Sequence, residues 1–434
     1  MKRICMLFLL SVSFLLLFSC SEKEEEITPN TIKNHMDNYI DSLINDTKDY
    51  VPSWNKESFK GRWNYIDGVF LNSILEYSNI KNDNKYKDFV KNYVNYYINS
   101  DGNFLYISDK NNYNPTIEGA FKQYELDSYC ESRILFDLYD YYGNNRYLNA
   151  INNSYYYLCE MPMCENNINY CHKSDYPNQI WLDGFYMYVP FLAKYAKYKN
   201  NNTIFDNIIS QYEYVYNNQR NEENGLYYHG LDVSKSIFWA DGNTGLSKSF
   251  WSRSLGWLLM SLVDSIEYFP ENKQTFLISM LSQAVDSVYQ YMDLDTKMYY
   301  QLTDKGNQSY NVSYIYLSKL NDKYNGDAII SNYLESSGSS MFAYTMMKAA
   351  RLNYVDEKYS NIGKETFEGI YKHSFNYKKN ELNDICITAG LGPENKPYRD
   401  GTPEYYLAEK VGSNDAKGVG PFITAYIEYL QCEI

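Results

Sequence analysis

Apolar residues recur at intervals of three and four along most of the chain, which is the spacing of amphipathic helices. The pattern begins with Tyr39, Leu43 and Ile44. Gly and Asn punctuate the ends of the apolar segments, as in residues 142–145. Further helices are predicted over residues 67–80, 87–99, 126–141, 146–160, 183–198, 204–217, 249–268, 274–292, 337–354, 360–373 and 417–431.

About twelve sequential helices joined by short turns predict an all-α fold built from six helical hairpins, because each hairpin must bury an apolar face against its neighbours. A closed ring of six hairpins, an (α/α)6 barrel, leaves no face uncovered, and an open superhelix also buries most faces. No fixed sequence period separates the two arrangements. Short strands are expected in loops near 103–108, 226–229 and 297–303.

The N-terminal segment has the pattern of a secretion signal. Lys2 and Arg3 precede an apolar run from Met6 to Phe18, which is too short to span a bilayer. The end of that run, residues 17–20, resembles a bacterial lipoprotein cleavage box that would place a lipid on Cys20. An ordinary signal peptide that happens to contain a cysteine is the alternative.

The acidic residues 21–26 resemble the tether of surface lipoproteins, or else form a solvated linker. The predicted organisation is a signal peptide over 1–19, a tether over 20–34 and one large domain over 35–434, since no low-complexity linker follows residue 30. The expected location is the outer membrane, facing the periplasm or the cell surface, with membrane contact only through the lipid.

The net charge of −14 argues against nucleic acid and against an anionic membrane surface as partners. An acidic protein that binds an anionic ligand needs local positive groups to overcome its own field. Six cysteines lie beyond Cys20, and disulfides among them are permitted outside the cytoplasm, although their pairing cannot be deduced. The group of Cys159, Cys164, Cys171 and His172 lacks a paired CxxC spacing, so a disulfide or buried thiols are favoured over zinc, and no metal is predicted.

The segment 172–187 carries the richest chemistry, with Asp183 beside Gly184 at the start of a predicted helix. An aspartate at this position is often a helix N-cap. A histidine–lysine pair, a Tyr-Pro-Asn turn and two aromatic residues accompany Asp183, and such a collection exceeds what a cap requires.

Two later segments add a histidine and an arginine among aromatic residues. His229 lies in Tyr227-Tyr228-His229-Gly230, and a lone histidine is more often structural than catalytic. Arg253 and Trp257 lie four residues apart and would share a helix face, close to Trp251. The structural interpretation is a stripe of aromatic core residues with an arginine whose charged head reaches solvent. The alternative is a site for a sugar acid, because a guanidinium binds a carboxylate through two parallel hydrogen bonds and indoles pack against sugar C–H faces.

These segments resemble, in order, glycoside hydrolase family 105, the unsaturated rhamnogalacturonyl hydrolases, and more distantly the unsaturated glucuronyl hydrolases of family 88. The resemblance runs from about residue 60 to the end and implies an (α/α)6 barrel. The matching segments are 172–187, 227–230, 239–257, 333–342, 399–406 and 417–422.

Carried over position by position, the resemblance makes Asp183 the acid/base carboxylate and Asp127 a second active-site aspartate, with Glu125 as a competitor for that second role. Arg253 and His229 are expected to supply local positive charge. The substrate-binding positions implied by the family are His172, Lys173, Trp181, Met187, His229, Trp251, Arg253 and Trp257. Residues 161–170 depart from the family's Gly- and aromatic-rich pattern, which puts the pocket rim in doubt.

The resemblance implies an enzyme that hydrates the C4=C5 bond of a terminal unsaturated uronic acid on an oligosaccharide, with no cofactor. A rhamnogalacturonyl hydrolase is the first expectation, and a family 88-like glucuronyl hydrolase acting on glycosaminoglycan or ulvan fragments is the second. A surface glycan-binding lipoprotein without catalysis is the rival from another class. A monomer or weak dimer is expected.

Overall fold

The computed structural model describes residues 27–55, 59–119 and 124–432. The predicted signal peptide and the lipidation site Cys20 lie outside the described residues. Helix α1 (Pro29–Asp46) begins within the range predicted as a tether, where Thr28 caps it by accepting a hydrogen bond from the Thr31 N–H. Nowhere in the described ranges does a helix combine the length and apolar character needed to cross a membrane.

Twelve long helices occupy the segments predicted to be helical. Two short ones, α10 and α13, lie in loops and were not predicted. Residues 126–133 form two short 3-10 turns, Leu126–Ser128 and Cys130–Arg133, rather than the start of an α-helix. The helices after α1 are α2 (Tyr65–Lys81), α3 (Asn84–Tyr97), α4 (Ile134–Tyr142), α5 (Asn145–Cys159), α6 (Leu182–Lys199), α7 (Asn202–Asn218), α8 (Ser252–Val263), α9 (Thr275–Tyr289), α10 (Tyr314–Leu320), α11 (Ser336–Arg351), α12 (Lys358–His373), α13 (Pro403–Ala408) and α14 (Ala416–Gln431).

The strands are short and form antiparallel pairs in the loops. The strand expected near 103–108 overlaps β1, and the one expected at 226–229 lies just before β4. The strand expected over 297–303 is absent, since this described stretch forms only isolated bridges at Tyr300 and Leu302. The pairs are β1 (Tyr106–Asp109) with β2 (Asn112–Thr116), β3 (Gln179–Trp181) with β4 (Gly230–Asp232), β5 (Ser309–Val312) with β6 (Ala328–Ser331), β7 (Phe375–Asn376) with β8 (Glu381–Leu382), and β9 (Ile385–Cys386) with β10 (Val411–Gly412).

The helices form a closed double ring. The inner ring runs α2, the 3-10 turn leading into α4, α6, α8, α11 and α14, and α14 packs back against α2. The outer helices α3, α5, α7, α9 and α12 each pack on the inner helix that precedes them, and α1 packs on α14. The (α/α)6 barrel expectation is therefore confirmed, and the open superhelix is wrong.

The inner helices are buried on nearly all sides, so small residues are needed where two of them meet. A Cβ on Gly256 of α8 would lie 2.6 Å from Met341 of α11, and one on Gly338 would lie 2.6 Å from the Ser252 hydroxyl. Every residue of α11 from Ser336 to Ala350 is buried. Close helix packing thus holds the ends of the inner helices, where the site lies, in fixed positions.

Candidate active site

A cavity of about 300 Å³ opens at the end of the barrel where the inner helices begin. The second residues of α6, α8 and α14 are Asp183, Arg253 and Lys417, and all three line it. Since helix N-termini carry partial positive charge, this end of the barrel favours an anion.

Among the described residues, the charged lining is mostly positive although the chain carries a net charge of −14. This is the local positive charge that the sequence requires for an anionic ligand. The cationic residues are Lys60, Arg62, Lys173, Arg253, Arg399 and Lys417, and the carboxylates are Glu125, Asp127 and Asp183.

Asp183 is not a helix cap. It is the second residue of α6, the N-cap position belongs to Trp181, and no side chain caps this helix. The Oδ2 atom of Asp183 lies 3.1 Å from Nε2 of His229. Both atoms are buried, and neither meets hydrogen-bond geometry with any described residue. The side chain is nevertheless 15% exposed and lines the cavity, so its other carboxylate oxygen is available to a ligand.

His229 lies beneath the cavity rather than in its wall. Its ring is fully buried between Trp181 and Trp251, with centroid distances of 5.3 and 4.9 Å. Its Nδ1 atom is 2.6 Å from the hydroxyl of Tyr406. Its contact with the site is therefore through Asp183, and the positive lining comes from lysine and arginine.

Asp127 and Glu125 share the ammonium group of Lys173. The Lys173 Nζ atom is 2.7 Å from Asp127 Oδ2 and 2.9 Å from Glu125 Oε2. Glu125 also accepts a hydrogen bond of 2.5 Å from Arg62. Burial raises the pKa of Asp127, but Lys173, His172 and Arg62 outweigh it and hold that pKa below its ordinary value. Asp127 is thus an anion at neutral pH.

Replacing Lys173 by Met should destabilise the fold by up to about 3 kcal/mol. This is the lower limit of the destabilisation expected when one partner of a buried ion pair is removed, and it applies because the lysine side chain is 25% exposed. The depressed pKa of Asp127 stabilises the folded state above the unfolded pKa, and this contribution is lost as the pH falls through the folded pKa. The deficit of Lys173→Met, measured by denaturant unfolding, should therefore shrink only as the pH falls below about 4, where Asp127 is protonated.

Lys60→Met is the matched control for this measurement, since Lys60 lines the same cavity but is exposed. A deficit that is equal for both variants, or that does not change with pH, would contradict the role of Lys173 as a structural counterion.

His172 forms an aromatic stack with Trp181 and Tyr176. The ring centroid of Trp181 is 4.5 Å from His172 and 5.1 Å from Tyr176, with interplanar angles of 15° and 20°. Burial lowers the pKa of His172 to about 4, although Asp127 opposes that effect, so the imidazole is neutral near pH 7. A Cβ on Gly184 would lie 3.2 Å from His172 Nδ1 and 2.8 Å from Leu126, which explains the glycine after Asp183.

Arg253 is a buried cation in the cavity wall. It donates hydrogen bonds of 2.5 Å to the Cys386 carbonyl and 3.4 Å to the Ser337 hydroxyl. Its guanidinium carbon lies 4.7 Å from the ring centroid of Trp251, the residue before α8. Unlike Lys173 or Lys417, Arg253 forms no ion pair with a carboxylate of the described chain. An incoming carboxylate would complete its environment.

Of the ten predicted catalytic and binding residues, nine line the cavity, and His229 contacts Asp183 from below. Trp257 stacks on Tyr186 with a centroid distance of 4.9 Å, and Met187 follows one turn after Asp183. Residues 161–170, which put the pocket rim in doubt, contribute nothing to this cavity and border a separate depression.

Sequence reasoning missed three residues that the C-terminal third supplies: Arg399, Lys417 and Tyr406. All three lie in segments that resemble the family, and for Arg399 and Lys417 the available signal was a basic residue inside a matching motif of an acidic protein. Arg399 donates to the Tyr405 hydroxyl at 3.2 Å. Burial and nearby Arg253 lower the pKa of Lys417, against the opposing charge of Asp415. Tyr406 gave no signal of its own among 50 tyrosines.

Comparison with known proteins gives consistent similarities. The family model described as Glycosyl Hydrolase Family 88 matches residues 35–314 and 325–433. A solved glycoside hydrolase from family 105 of C. acetobutylicum is 32% identical, with a TM-score of 0.75, over 92% of this chain and 99% of that chain. The "24.9 kDa protein in picA locus" of Rhizobium radiobacter is 32% identical over 213 residues, which are 48% of this chain and 82% of that protein.

The unsaturated glucuronyl hydrolase of Bacillus sp. GL1, described as responsible for the degradation of glycosaminoglycan, shares the fold. It is 8% identical, with a TM-score of 0.55, over 92% of this chain and 94% of that chain.

Proposed function

The chain belongs to glycosyl hydrolase family 88 and is a glycoside hydrolase, and on that premise we propose that it removes a terminal 4,5-unsaturated uronic acid from oligosaccharides. The observation that carries the proposal is Arg253, a buried guanidinium without a carboxylate partner in the described chain, in the same cavity as Asp183. A neutral sugar would leave this cation with no carboxylate in direct contact, whereas a uronate would supply one.

The remaining lining suits a sugar acid at the end of an oligosaccharide. The indoles of Trp181, Trp251 and Trp257 offer faces for sugar C–H groups. The cavity is large enough for about one or two sugar rings at about 300 Å³, the lower end of ligand pockets. A substrate that ends in the reacting uronate fits a cavity of this size.

The chemistry is hydration of an enol ether. Asp183, in its acid form, gives a proton to C4, and positive charge develops at C5 and the ring oxygen. Asp183 then accepts a proton from a water molecule whose oxygen bonds to C5. The resulting hemiketal opens and releases the next sugar, so the net reaction consumes one water and regenerates the acid.

The two aspartates have different environments, and this difference assigns their roles. Lys173 keeps Asp127 anionic, so Asp127 is unsuited to donate a proton but suited to stabilise the positive charge at C5. Asp183 has no cationic side chain of lysine or arginine paired with it in the described chain, and its neighbour is His229. Carboxylates in contrasting environments commonly divide acid and electrostatic roles in this way.

Rhamnogalacturonan fragments are the proposed source of the substrate, because the sequence motifs resemble the unsaturated rhamnogalacturonyl hydrolases of family 105. A family 105 hydrolase of C. acetobutylicum is also similar over almost the whole chain. Fragments of glycosaminoglycan or ulvan are the alternative. The deciding assay follows loss of the double-bond absorbance on a panel of lyase-generated oligosaccharides from each polymer. Turnover of only one polymer's fragments identifies the source, and binding without turnover on every member would favour a glycan-binding protein instead.

Tyr406 positions His229 in this scheme. Burial raises the pKa of Tyr406 well above its ordinary value, so its hydroxyl keeps its proton and can donate it to His229 Nδ1. The imidazole proton is then on Nε2 and faces Asp183 Oδ2 at 3.1 Å. Tyr406 is not part of the cavity lining and acts through the histidine.

Tyr406→Phe should lower kcat by about tenfold, the value of one hydrogen bond of 1–1.5 kcal/mol, with KM unchanged. Ring-¹⁵N NMR can check the cause directly, because the chain has only 4 histidines and His229→Gln assigns the signal. We expect a protonated Nε2 in the wild type and mixed tautomers in the variant.

Tyr212→Phe is the matched control, since that buried hydroxyl bonds to Ser261 at 2.9 Å, away from the cavity. A wild-type His229 that carries its proton on Nδ1 would refute the positioning role even if the activity of Tyr406→Phe fell.

A further inference from the structure

A small hairpin leads directly into the cavity wall. Its arms are joined by backbone hydrogen bonds of 2.8 Å from the Cys164 N–H to the Asn169 carbonyl and from the Cys171 N–H to the Pro162 carbonyl. The next two residues, His172 and Lys173, line the cavity. The position of the hairpin therefore bears on both of them.

Two cysteine sulfurs meet across this hairpin. The Sγ atoms of Cys164 and Cys171 are 3.3 Å apart, and both side chains are buried. A disulfide has a sulfur–sulfur distance of about 2.05 Å, so an approach of about 1.3 Å would complete the bond. No other pair of cysteine sulfurs is in contact in the described ranges, and Cys159, the nearest alternative in sequence, is exposed.

We propose that Cys164 and Cys171 form a disulfide that closes the hairpin and fixes the segment carrying His172 and Lys173. The bond resolves the pairing that the cysteine spacing leaves open. It would form once the hairpin has closed and before the barrel packs over it, in an environment that supplies a disulfide oxidant. Export, expected from the N-terminal segment, would provide such an environment.

The local chemistry favours Cys171 as the attacking sulfur. The Cys171 sulfur accepts hydrogen bonds from the Cys164 thiol and from the backbone N–H of Asn178, which is 3.3 Å away. These bonds lower the pKa of Cys171 to about 7, although burial opposes them. The thiolate attacks a small-molecule disulfide and releases one thiolate. Cys164 then loses its proton and attacks the mixed disulfide, releasing the second. The two cysteines lose two electrons, and the two protons complete the two released thiols.

The closed loop would hold the wall of the cavity. Cys171 is followed by the residue whose ring stacks on Trp181 and by the lysine that joins Asp127 to Glu125. In the oxidised protein the disulfide fixes the backbone that precedes these two residues. In the reduced protein backbone hydrogen bonds alone hold that hairpin.

The experiment is refolding of the full chain with oxidised and reduced glutathione, followed by alkylation in denaturant and peptide mass spectrometry. We expect one cross-linked peptide pair joining Cys164 to Cys171, lighter by two hydrogens than the reduced pair. Cys130 and Cys386 should be recovered alkylated. Recovery of Cys164 and Cys171 fully alkylated, or joined to other cysteines, would overturn the proposal.

A second measurement covers variants that fold less well. The melting temperature of the wild type should fall on reduction, and that of Cys164→Ser/Cys171→Ser should not respond to reductant. Cys159→Ser is the matched control and should respond like the wild type. An equal response of the double variant and the wild type would show that another bond is responsible. Neither readout uses the enzymatic reaction, so each stands whether or not the proposed substrate is correct.

Discussion

Asp183→Asn should abolish the loss of double-bond absorbance while leaving the protein folded. Asn cannot donate a proton to C4 or accept one from water, and general acid–base help is worth roughly a hundred- to ten-thousandfold. The change is nearly isosteric, and Asp183 caps no helix, so the barrel loses no structural bond. The measurement is kcat on the best oligosaccharide of the panel, together with a thermal melt.

Two comparisons make this prediction specific. Asp206→Asn removes an exposed carboxylate of α7 and should leave kcat unchanged. Asp127→Asn should lower kcat but retain more activity than Asp183→Asn, because Asp127 acts through its charge rather than by proton transfer. If Asp183→Asn turned over substrate at the wild-type rate, the assignment of Asp183 as the acid/base would be wrong. Equal residual rates for Asp183→Asn and Asp127→Asn would contradict the assignment of different roles to the two aspartates.

The helices of this fold could be predicted because apolar residues recur at intervals of three and four within each of them. The twelve long helices all overlap predicted segments because burial on one side imposes a three- and four-residue period. The inner ring could not be distinguished from the outer ring in this way. Helices such as α11 are buried throughout, and their small residues, for example Gly338 against Ser252, report contacts with a distant helix.

The predicted site residues came from compact motifs whose members are near each other in sequence. His172 to Met187 form one turn, one strand and the start of α6, so their proximity follows from local structure. Lys417 and Tyr406 reach the site only through closure of the barrel, and the bond of Tyr406 to His229 spans 177 residues. Their motifs resemble the family, but apolar periodicity does not show which distant residues they meet.

The same distinction applies to the position of His229. Sequence neighbours placed it among aromatic residues, and its ring indeed contacts Trp181 and Trp251. Its expected role as a source of positive charge in the cavity wall depends on how deeply its ring lies below the cavity, and the periodicity of the sequence does not reveal that. The ring lies below Asp183, where it can orient a carboxylate but cannot meet the substrate carboxylate.

Arg253→Gln should cost roughly 30- to 5,000-fold in kcat/KM, the equivalent of 2–5 kcal/mol for truncating one partner of a buried charge pair. The substrate carboxylate would enter the cavity and find no bidentate donor. Arg253→Lys should recover part of the loss, because it keeps the charge but not the planar fork. The measurement is kcat/KM for the acid substrate and for its uronate methyl ester.

The ester separates recognition of the carboxylate from damage to the wall, which matters because Arg253 also donates to the Cys386 carbonyl. The wild type should strongly prefer the acid, and Arg253→Gln should treat acid and ester nearly alike. Arg351→Gln, which removes an arginine paired with Glu428 outside the cavity, should lower stability but keep the preference. If Arg253→Gln lost activity equally on both substrates, Arg253 would be a structural residue of α8. The uronate would then have to bind elsewhere in the positive lining, for example at Arg399 or Lys417.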